Sequence, residues 1–281
     1  MAYRTIMTYL PAPDRVAPVM DVALPLARKH EAHLIGLHVI PEPHIYAAVA
    51  AEMSAVILDA QSNYYHEQAA QVQAAFEQRV QGEDLVTEWR SVSCRGLPIA
   101  AAVNVHSAAT DLMITSQANP ENDWETQADL PVRLIVESGR PVLLVPYGGG
   151  AAAEIGTYVT VAWDGSREAA RAAFDAVPIL AGAKQVKVLS LDHQSTDDGG
   201  SFTASDDITL ALARHGIEAE AASDTAANRS VGEALLSHVS QQGGDLLVMG
   251  CSGHTRFREF IFGGATRHVL QNATIPVLMS H

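Results

Sequence analysis

Four glycines between an apolar run and a helical stretch are the residues best placed to do chemistry in this sequence. The segment runs Met249-Gly250-Cys251-Ser252-Gly253-His254 and, further on, Phe262-Gly263-Gly264-Ala265-Thr266, so its glycines fall as G-x2-G-x9-G-G. Glycine adopts positive φ without strain and lets a backbone come close to a ligand. Amides in the first turn of a helix have no intrahelical acceptor and point toward an anion. On that physics, Gly263 and Gly264 present amides to a phosphate, and Gly250 and Gly253 let the chain wrap a sugar and its phosphates. Asp164, at the end of an earlier β-rich run, adds a carboxylate able to accept hydrogen bonds from ribose or adenine. The pattern is neither a Walker A loop, which ends in Gly-Lys-Ser/Thr, nor the G-x-G-x-x-G dinucleotide loop. Glycines also serve plain turns; an acid on a separate strand end favours the cradle.

Other candidates are weaker. Arg256 and Arg258 lie inside the glycine loop and would pair with phosphates or with a partner's acids, although most surface charges are merely solvated. His254 is read as exposed. Cys251 lies in the same loop, where a nearby helix N-terminus would lower its pKa and make it a redox switch; the plainer reading is a small residue filling a tight turn. Cys94 is expected to pack at a strand end. His30 and His33 are three apart, as metal ligands on one helix can be, but no third ligand is in register and no metal site is read. Asp197, Asp198, Asp206 and Asp207 lack calcium-loop spacing and are read as a solvated loop with a capping acid. No Ser/His/Asp or Cys/His set has readable spacing, and no catalytic residue is assigned.

The elements that must position the glycine loop occur twice. Asp111-Leu112-Met113-Ile114 resembles Asp245-Leu246-Leu247-Val248, and Arg95 and Arg229 share the same separation. Arg140-Pro141-Val142-Leu143 resembles Ile275-Pro276-Val277-Leu278, and Arg4–Tyr9 resembles Tyr158–Trp163. The small, flexible run Gly148-Gly149-Gly150-Ala151-Ala152-Ala153 reads as a linker. The chain therefore divides into a domain at 1–147, a linker at 148–155 and a domain at 156–281. In the second copy, strands are expected at Tyr158–Ala162, Gln185–Leu191, Ile217–Ala222, Asp245–Met249 and Pro276–Met279. Helices are expected at Ser166–Leu180 (with Ala169, Ala173, Phe174 and Val177 on the buried face), Asp206–His215, Val231–Gln241 and Ala265–Gln271. Gly216 and Gly243-Gly244 end two of them. Alternating strands and helices specify an α/β fold, two tandem doubly wound parallel-sheet domains. Ligands in such sheets lie beyond the carboxyl ends of the strands, at a topological switch point.

With Arg267-His268-Val269-Leu270 and Ile275-Pro276-Val277-Leu278 following it, the glycine loop resembles that of the universal stress protein family in its tandem two-domain form. Nucleotide-binding members carry G-x2-G-x9-G-Ser/Thr after the fourth strand and an Asp after the first, as Asp164-Gly165-Ser166 does here. The resemblance covers the second copy and, more weakly, the first. It implies a Rossmann-like, adenine nucleotide alpha-hydrolase-like fold and an adenine nucleotide ligand, ATP with magnesium, held as a sensor or regulator of the stress response. Ala162, Trp163 and Asp164 would flank the adenosine, Leu191 would lie against adenine, and Met249 and Gly250 would meet base and ribose. Gly253, Gly263, Gly264 and Ala265 would line the phosphates. The family's Ser/Thr is Gly264 here: the amide survives and the hydroxyl is lost, which costs roughly 0.5–1.5 kcal/mol. The first copy has Ser116, Asn119, Asp129 and Leu130 at the matching places and Leu10-Pro11-Ala12-Pro13 after its first strand. Asp129 would repel phosphate, and Asp14 is expected to cap the next helix. That half is read as a degenerate site kept for structure or for another ligand. The resemblance also implies a regulatory protein partner, leaves homodimer formation open, and places the pairing Val142–Val145 with Val277–Met279 inside one chain. Two other readings stand beside it: a nucleotide-free interaction module, and a slow ATP hydrolase with Asp164 as its sole evident base.

Composition sets the outer bounds. A length of 281 residues corresponds to about two domains. Hydrophobic residues at 48% leave ample material for two cores, and a net charge of −14 repels nucleic acid and anionic membrane surfaces. Two cysteines make no disulfide framework, and no signal or membrane-spanning segment is read. A cytoplasmic protein is expected.

Overall fold

The computed structural model describes residues 2–42, 55–119, 129–148, 155–192, 205–226, 228–251, 253–254 and 261–281. The first half runs β1 (Thr5–Tyr9), α1 (Pro13–His30), β2 (His33–Ile40), α2 (Ala55–Val80), β3 (Thr87–Ser93), α3 (Ile99–Ser107), β4 (Leu112–Ser116), α4 (Asp129–Ser138) and β5 (Val142–Val145). The second runs β6 (Tyr158–Ala162), α5 (Arg167–Asp175), α6 (Val177–Leu180), β7 (Gln185–Asp192), α7 (Ser205–Ala213), β8 (Ala219–Thr225), α8 (Val231–Gln241) and β9 (Leu246–Gly250). It ends with β10 (Gly253–His254), β11 (Ile261–Phe262), α9 (Gly264–Asn272) and β12 (Val277–Ser280).

Ten of these strands form one sheet in the order β3-β2-β1-β4-β5-β12-β9-β6-β7-β8. Each half contributes five parallel strands in the same order. The halves meet where β5 and β12 pair antiparallel, with Leu278 opposite Leu143 and Val277 opposite Leu144. That is the pairing the resemblance implies: each strand covers the edge the other would expose. The strands are apolar on both faces because helices cover both. Ile6, Leu112, Leu143, Val159, Val248 and Leu278 belong to the layer under α1 and α5. Met7, Met113, Leu144, Leu247, Val277 and Met279 belong to the layer under α3, α4, α8 and α9. Both layers run through the β5–β12 join, so the core is continuous. Among the described residues no helix is long and apolar enough to cross a membrane.

The repeated aspartates have the same structural job. Asp111 accepts hydrogen bonds from the amides of Arg4 and Thr5 at 2.7 and 2.9 Å. Asp245 accepts from those of Gly156, Thr157 and Tyr158 at 2.9–3.1 Å. In each half, the acid preceding the fourth parallel strand thus pins the start of the first. Sheet register corrects one detail of the repeat. Ile6 faces Leu112 and Val159 faces Leu246, so Thr5–Tyr9 corresponds to Tyr158–Ala162, one residue off the sequence match of Arg4–Tyr9 to Tyr158–Trp163. A one-residue slip would turn every side chain to the other face, which is why packing and not local similarity settles it.

Three helical expectations are corrected. The stretch Ser166–Leu180 is two helices, with α6 beginning at Val177-Pro178; proline lacks an amide donor and sits comfortably only in a first turn. Phe174 is exposed, its edge against His215, while Ala169, Ala172, Ala173 and Val177 are buried. Asp14 is not a cap: α1 is preceded by Ala12 with no side-chain cap bond and opens on Pro13. Gly216 and Gly243 adopt positive φ just past α7 and α8, as helix-ending glycines do.

Candidate functional site

In the second half, β6 lies between β9 and β7, and the chain leaves β6 and β9 toward opposite faces. The carboxyl ends of β6 and β9 therefore flank a topological switch point. The sequence places Ala162-Trp163-Asp164 at one of these ends and Met249-Gly250 at the other. Leu191 lies on β7 next to them, half-buried and opposite Asp224 of β8. All of these residues lie at the carboxyl-terminal ends of adjacent strands.

Asp164 is exposed and held in a tight turn. Its Oδ1 accepts from the amide of Ser166 at 3.0 Å and from its hydroxyl at 2.6 Å. Gly165 takes φ +72 between them, a conformation glycine adopts freely. Ser166 Oγ in turn accepts from Ala169 N at 3.1 Å and caps α5. The carboxylate is thereby oriented while its Oδ2 has no partner among the described residues. The Trp163 indole Nε1 is buried and likewise has no hydrogen-bond partner among the described residues, which leaves an unsatisfied donor one residue away.

Gly250 has a packing reason that the sequence did not show. A Cβ there would stand 2.5 Å from Ala169 N and from Glu168 C, so the first turn of α5 rests directly on the strand end. Met249 is buried in the layer beneath α8 and α9. Glu168 is buried beside this contact and paired with Arg167 at 2.5 Å. Burial alone would raise its pKa, but the hydrogen bonds from Arg167 and from its own amide outweigh that and leave it lowered.

Gly263 precedes α9 with no side-chain cap, and the first helical bond there runs from Arg267 N to Gly263 O at 3.2 Å. The amides of Gly264, Ala265 and Thr266 are thus the unclaimed donors of this helix end. Gly264 is exposed, and a Cβ on it would meet nothing within 4 Å. Gly253 pairs with Phe262 in the short antiparallel ladder of β10 and β11, which the sequence reading missed. A two-residue strand has too little pattern to be legible.

Several expectations are corrected or fall elsewhere. Cys251 is buried and hydrogen-bonded to the Thr266 side chain, and burial pushes its thiol up to about 12, the opposite of an activated thiolate. His30 ends α1 and packs on the Tyr3 ring, whereas His33 opens β2 and faces Glu88, so the two do not share a helix. Cys94 is buried after β3 and its sulfur accepts from Glu42 N at 3.2 Å. Arg256, Arg258, Asp197, Asp198 and the linker residues 149–153 lie outside the described residues, as do the side chains of His254 and Asp129.

The family model for the universal stress protein family matches residues 158–281. Residues 158–281 are a universal stress protein domain. Over nearly its full length the fold is similar to that of a universal stress protein from Archaeoglobus fulgidus DSM 4304. That likeness spans 98% of this chain and 97% of that one, with a TM-score of 0.72 at 15% identity. A functionally unknown protein from Pseudomonas aeruginosa PAO1 shares the fold over 99% of this chain and 92% of its own, with a TM-score of 0.58 at 15% identity. No curated protein matches the sequence. At such identities the likeness is one of fold, and it extends the universal stress protein fold to the first half.

Proposed function

We propose that the universal stress protein domain at 156–281 binds one adenine nucleotide, ATP with magnesium, as a regulatory ligand. The observation that carries this reading is the pair of features across the switch point. A turn-oriented carboxylate, Asp164, stands after β6, and an uncapped helix N-terminus with open space at Gly264 follows β9. Asp164, Trp163 and Leu191 would receive the nucleoside; Gly253, Gly263, Gly264 and Ala265 would receive the phosphates. Bound magnesium would neutralise phosphate charge that a protein of net charge −14 otherwise repels. Among the described residues no base beyond Asp164 stands at this site to support turnover, and in this reading the ligand acts by its presence. The half at 1–147 serves as the pseudo-symmetric partner across β5–β12, and a regulatory protein in the cytoplasm reads the liganded state. The missing hydroxyl at Gly264 favours a second reading, a nucleotide-free interaction module.

The test is the nucleotide content of freshly purified protein, released by denaturation and separated by chromatography, with Gly263→Asp alongside. About one adenine nucleotide per chain, lost in the variant, is expected. No nucleotide, and no binding when ATP and magnesium are added, would leave the interaction module.

A further inference from the structure

The first half has an open cavity of about 650 Å³ at its own switch point, between the ends of β1 and β4. Pockets of this size hold small organic ligands. Its walls are largely apolar, with Val39, Pro41, Pro98, Ile99, Leu130 and Leu134 among them. Its polar feature is a cation. Arg15, in the first turn of α1, lines the cavity and is only 6% exposed. Among the described residues no carboxylate lies within ion-pair distance of it. Its Nε donates to Ser116 Oγ at 2.7 Å, and its Nη atoms donate to Pro146 O at 2.8 Å and Tyr147 O at 3.1 Å. The guanidinium also lies 4.4 Å from the centre of the Tyr147 ring. Three of its five donor hydrogens are thereby used, and the charge is fixed in place with Asp14 acting on it only from beyond ion-pair distance.

Sheet register makes Arg15 the counterpart of Glu168, and Ser116 the counterpart of Gly250. The two halves have thus inverted the charge at one buried position. A buried cation is costly unless paired, and the uncapped N-terminus of α1 adds to the preference for an anion. The other charged groups of the lining are Arg133, held by Glu137 at 2.9 Å, and the exposed Asp14. Gln117 is committed to Leu270 O and to Tyr147 N. Among the described residues, one cation without an ion pair and an acid at the rim suit a single negative charge and not a polyphosphate. Nor are the second half's nucleotide features present: Leu10-Pro11 stand where Trp163-Asp164 do, and Ser116 and Asn119 where Gly250 and Gly253 do.

We propose that this cleft is a second, separate ligand site, which binds a small organic monocarboxylate by its apolar body and sets the carboxylate against Arg15. The site differs in chemistry from the one proposed for the second half and does not depend on it.

Isothermal titration of the full-length protein with octanoate and with 3-phenylpropionate tests this, with octanol and octylamine as the neutral and cationic counterparts. Saturable binding of at least one carboxylate, one per chain, and at least tenfold weaker binding of octanol and octylamine are expected. Two variants locate the site: Ser116→Asp supplies Arg15 with an internal counter-ion, and Ile99→Trp fills the cavity from its half-exposed rim. Each is expected to lower the affinity at least tenfold, with circular dichroism and thermal melting confirming the fold. If one variant does not fold, the other decides. The proposal is overturned if neither carboxylate binds saturably, if octanol binds as well as octanoate, if affinity survives in the folded variants, or if ATP competes for the same site.

Discussion

Restoring the hydroxyl that the universal stress protein pattern carries at Gly264 should strengthen nucleotide binding, and the structure says how much. A Cβ at this position meets nothing within 4 Å, and the residue is exposed in the first turn of α9, so Gly264→Ser has no steric cost. The serine can add one neutral hydrogen bond to a phosphate, worth about 0.5–1.5 kcal/mol net, or about two- to twelvefold in affinity. Replacing glycine in a helical conformation also stabilises the fold by about 0.4–1 kcal/mol through the unfolded chain, whether or not a hydroxyl is present. Gly264→Ala separates the two effects, because it carries the entropic gain alone. Titration with ATP and magnesium, together with urea denaturation, reads both. Both variants should be slightly more stable than the parent, and only Gly264→Ser should bind ATP more tightly. If Gly264→Ser binds no better than the parent, or if Gly264→Ala gains equally, this helix end is not where phosphate sits.

Asp245→Ala leaves three backbone amides at the start of β6 without their acceptor, and Asp111→Ala leaves two at the start of β1. At the usual cost of losing charge-assisted bonds at a half-buried site, about 2–3 kcal/mol is expected for Asp245 and about 1–2 for Asp111. Urea midpoints within the scatter of ordinary surface substitutions would show that the repeated acids are not staples. Gly250→Ala drives a Cβ into the backbone of α5 and should cost about 1–3 kcal/mol; a melting temperature equal to the parent's would rule out the close packing. Burial lowers the pKa values of His30, His38 and His106, with nearby Lys29 and Arg90 adding to this at His30 and His106 respectively. Below about pH 6.5 the unfolded chain binds protons that the folded chain refuses, so stability is complete above that pH and declines as the pH falls. A urea midpoint that rose between pH 7.5 and pH 5.5 would contradict that sign.

Much of the architecture is legible in residue order alone. Apolar strands buried on both faces, helix-ending glycines at Gly216 and Gly243, and two Asp-led apolar strands at Asp111 and Asp245 all mark a repeated α/β unit. The β5–β12 pairing follows from the two repeated strands and a resemblance to relatives. These features come from local spacing, which a linear chain displays directly. The glycine spacing after β9 and the acid after β6 are legible for the same reason. What depends on three-dimensional packing was not. Only the sheet register decided that Ile6 and not Thr5 corresponds to Val159, because facing layers and not local similarity set which way a side chain points. Only contact with α5 decided that Gly250 must be glycine, and only burial decided that Cys251 is inert. The cavity of the first half and the lack of an ion-pair partner for Arg15 among the described residues were likewise invisible: a vacancy is bounded by residues from β1, α1, α3, β4 and α4 that share no spacing in the sequence. A charged side chain in sequence carries no sign of whether its counter-ion lies within reach, and the fold alone determines that.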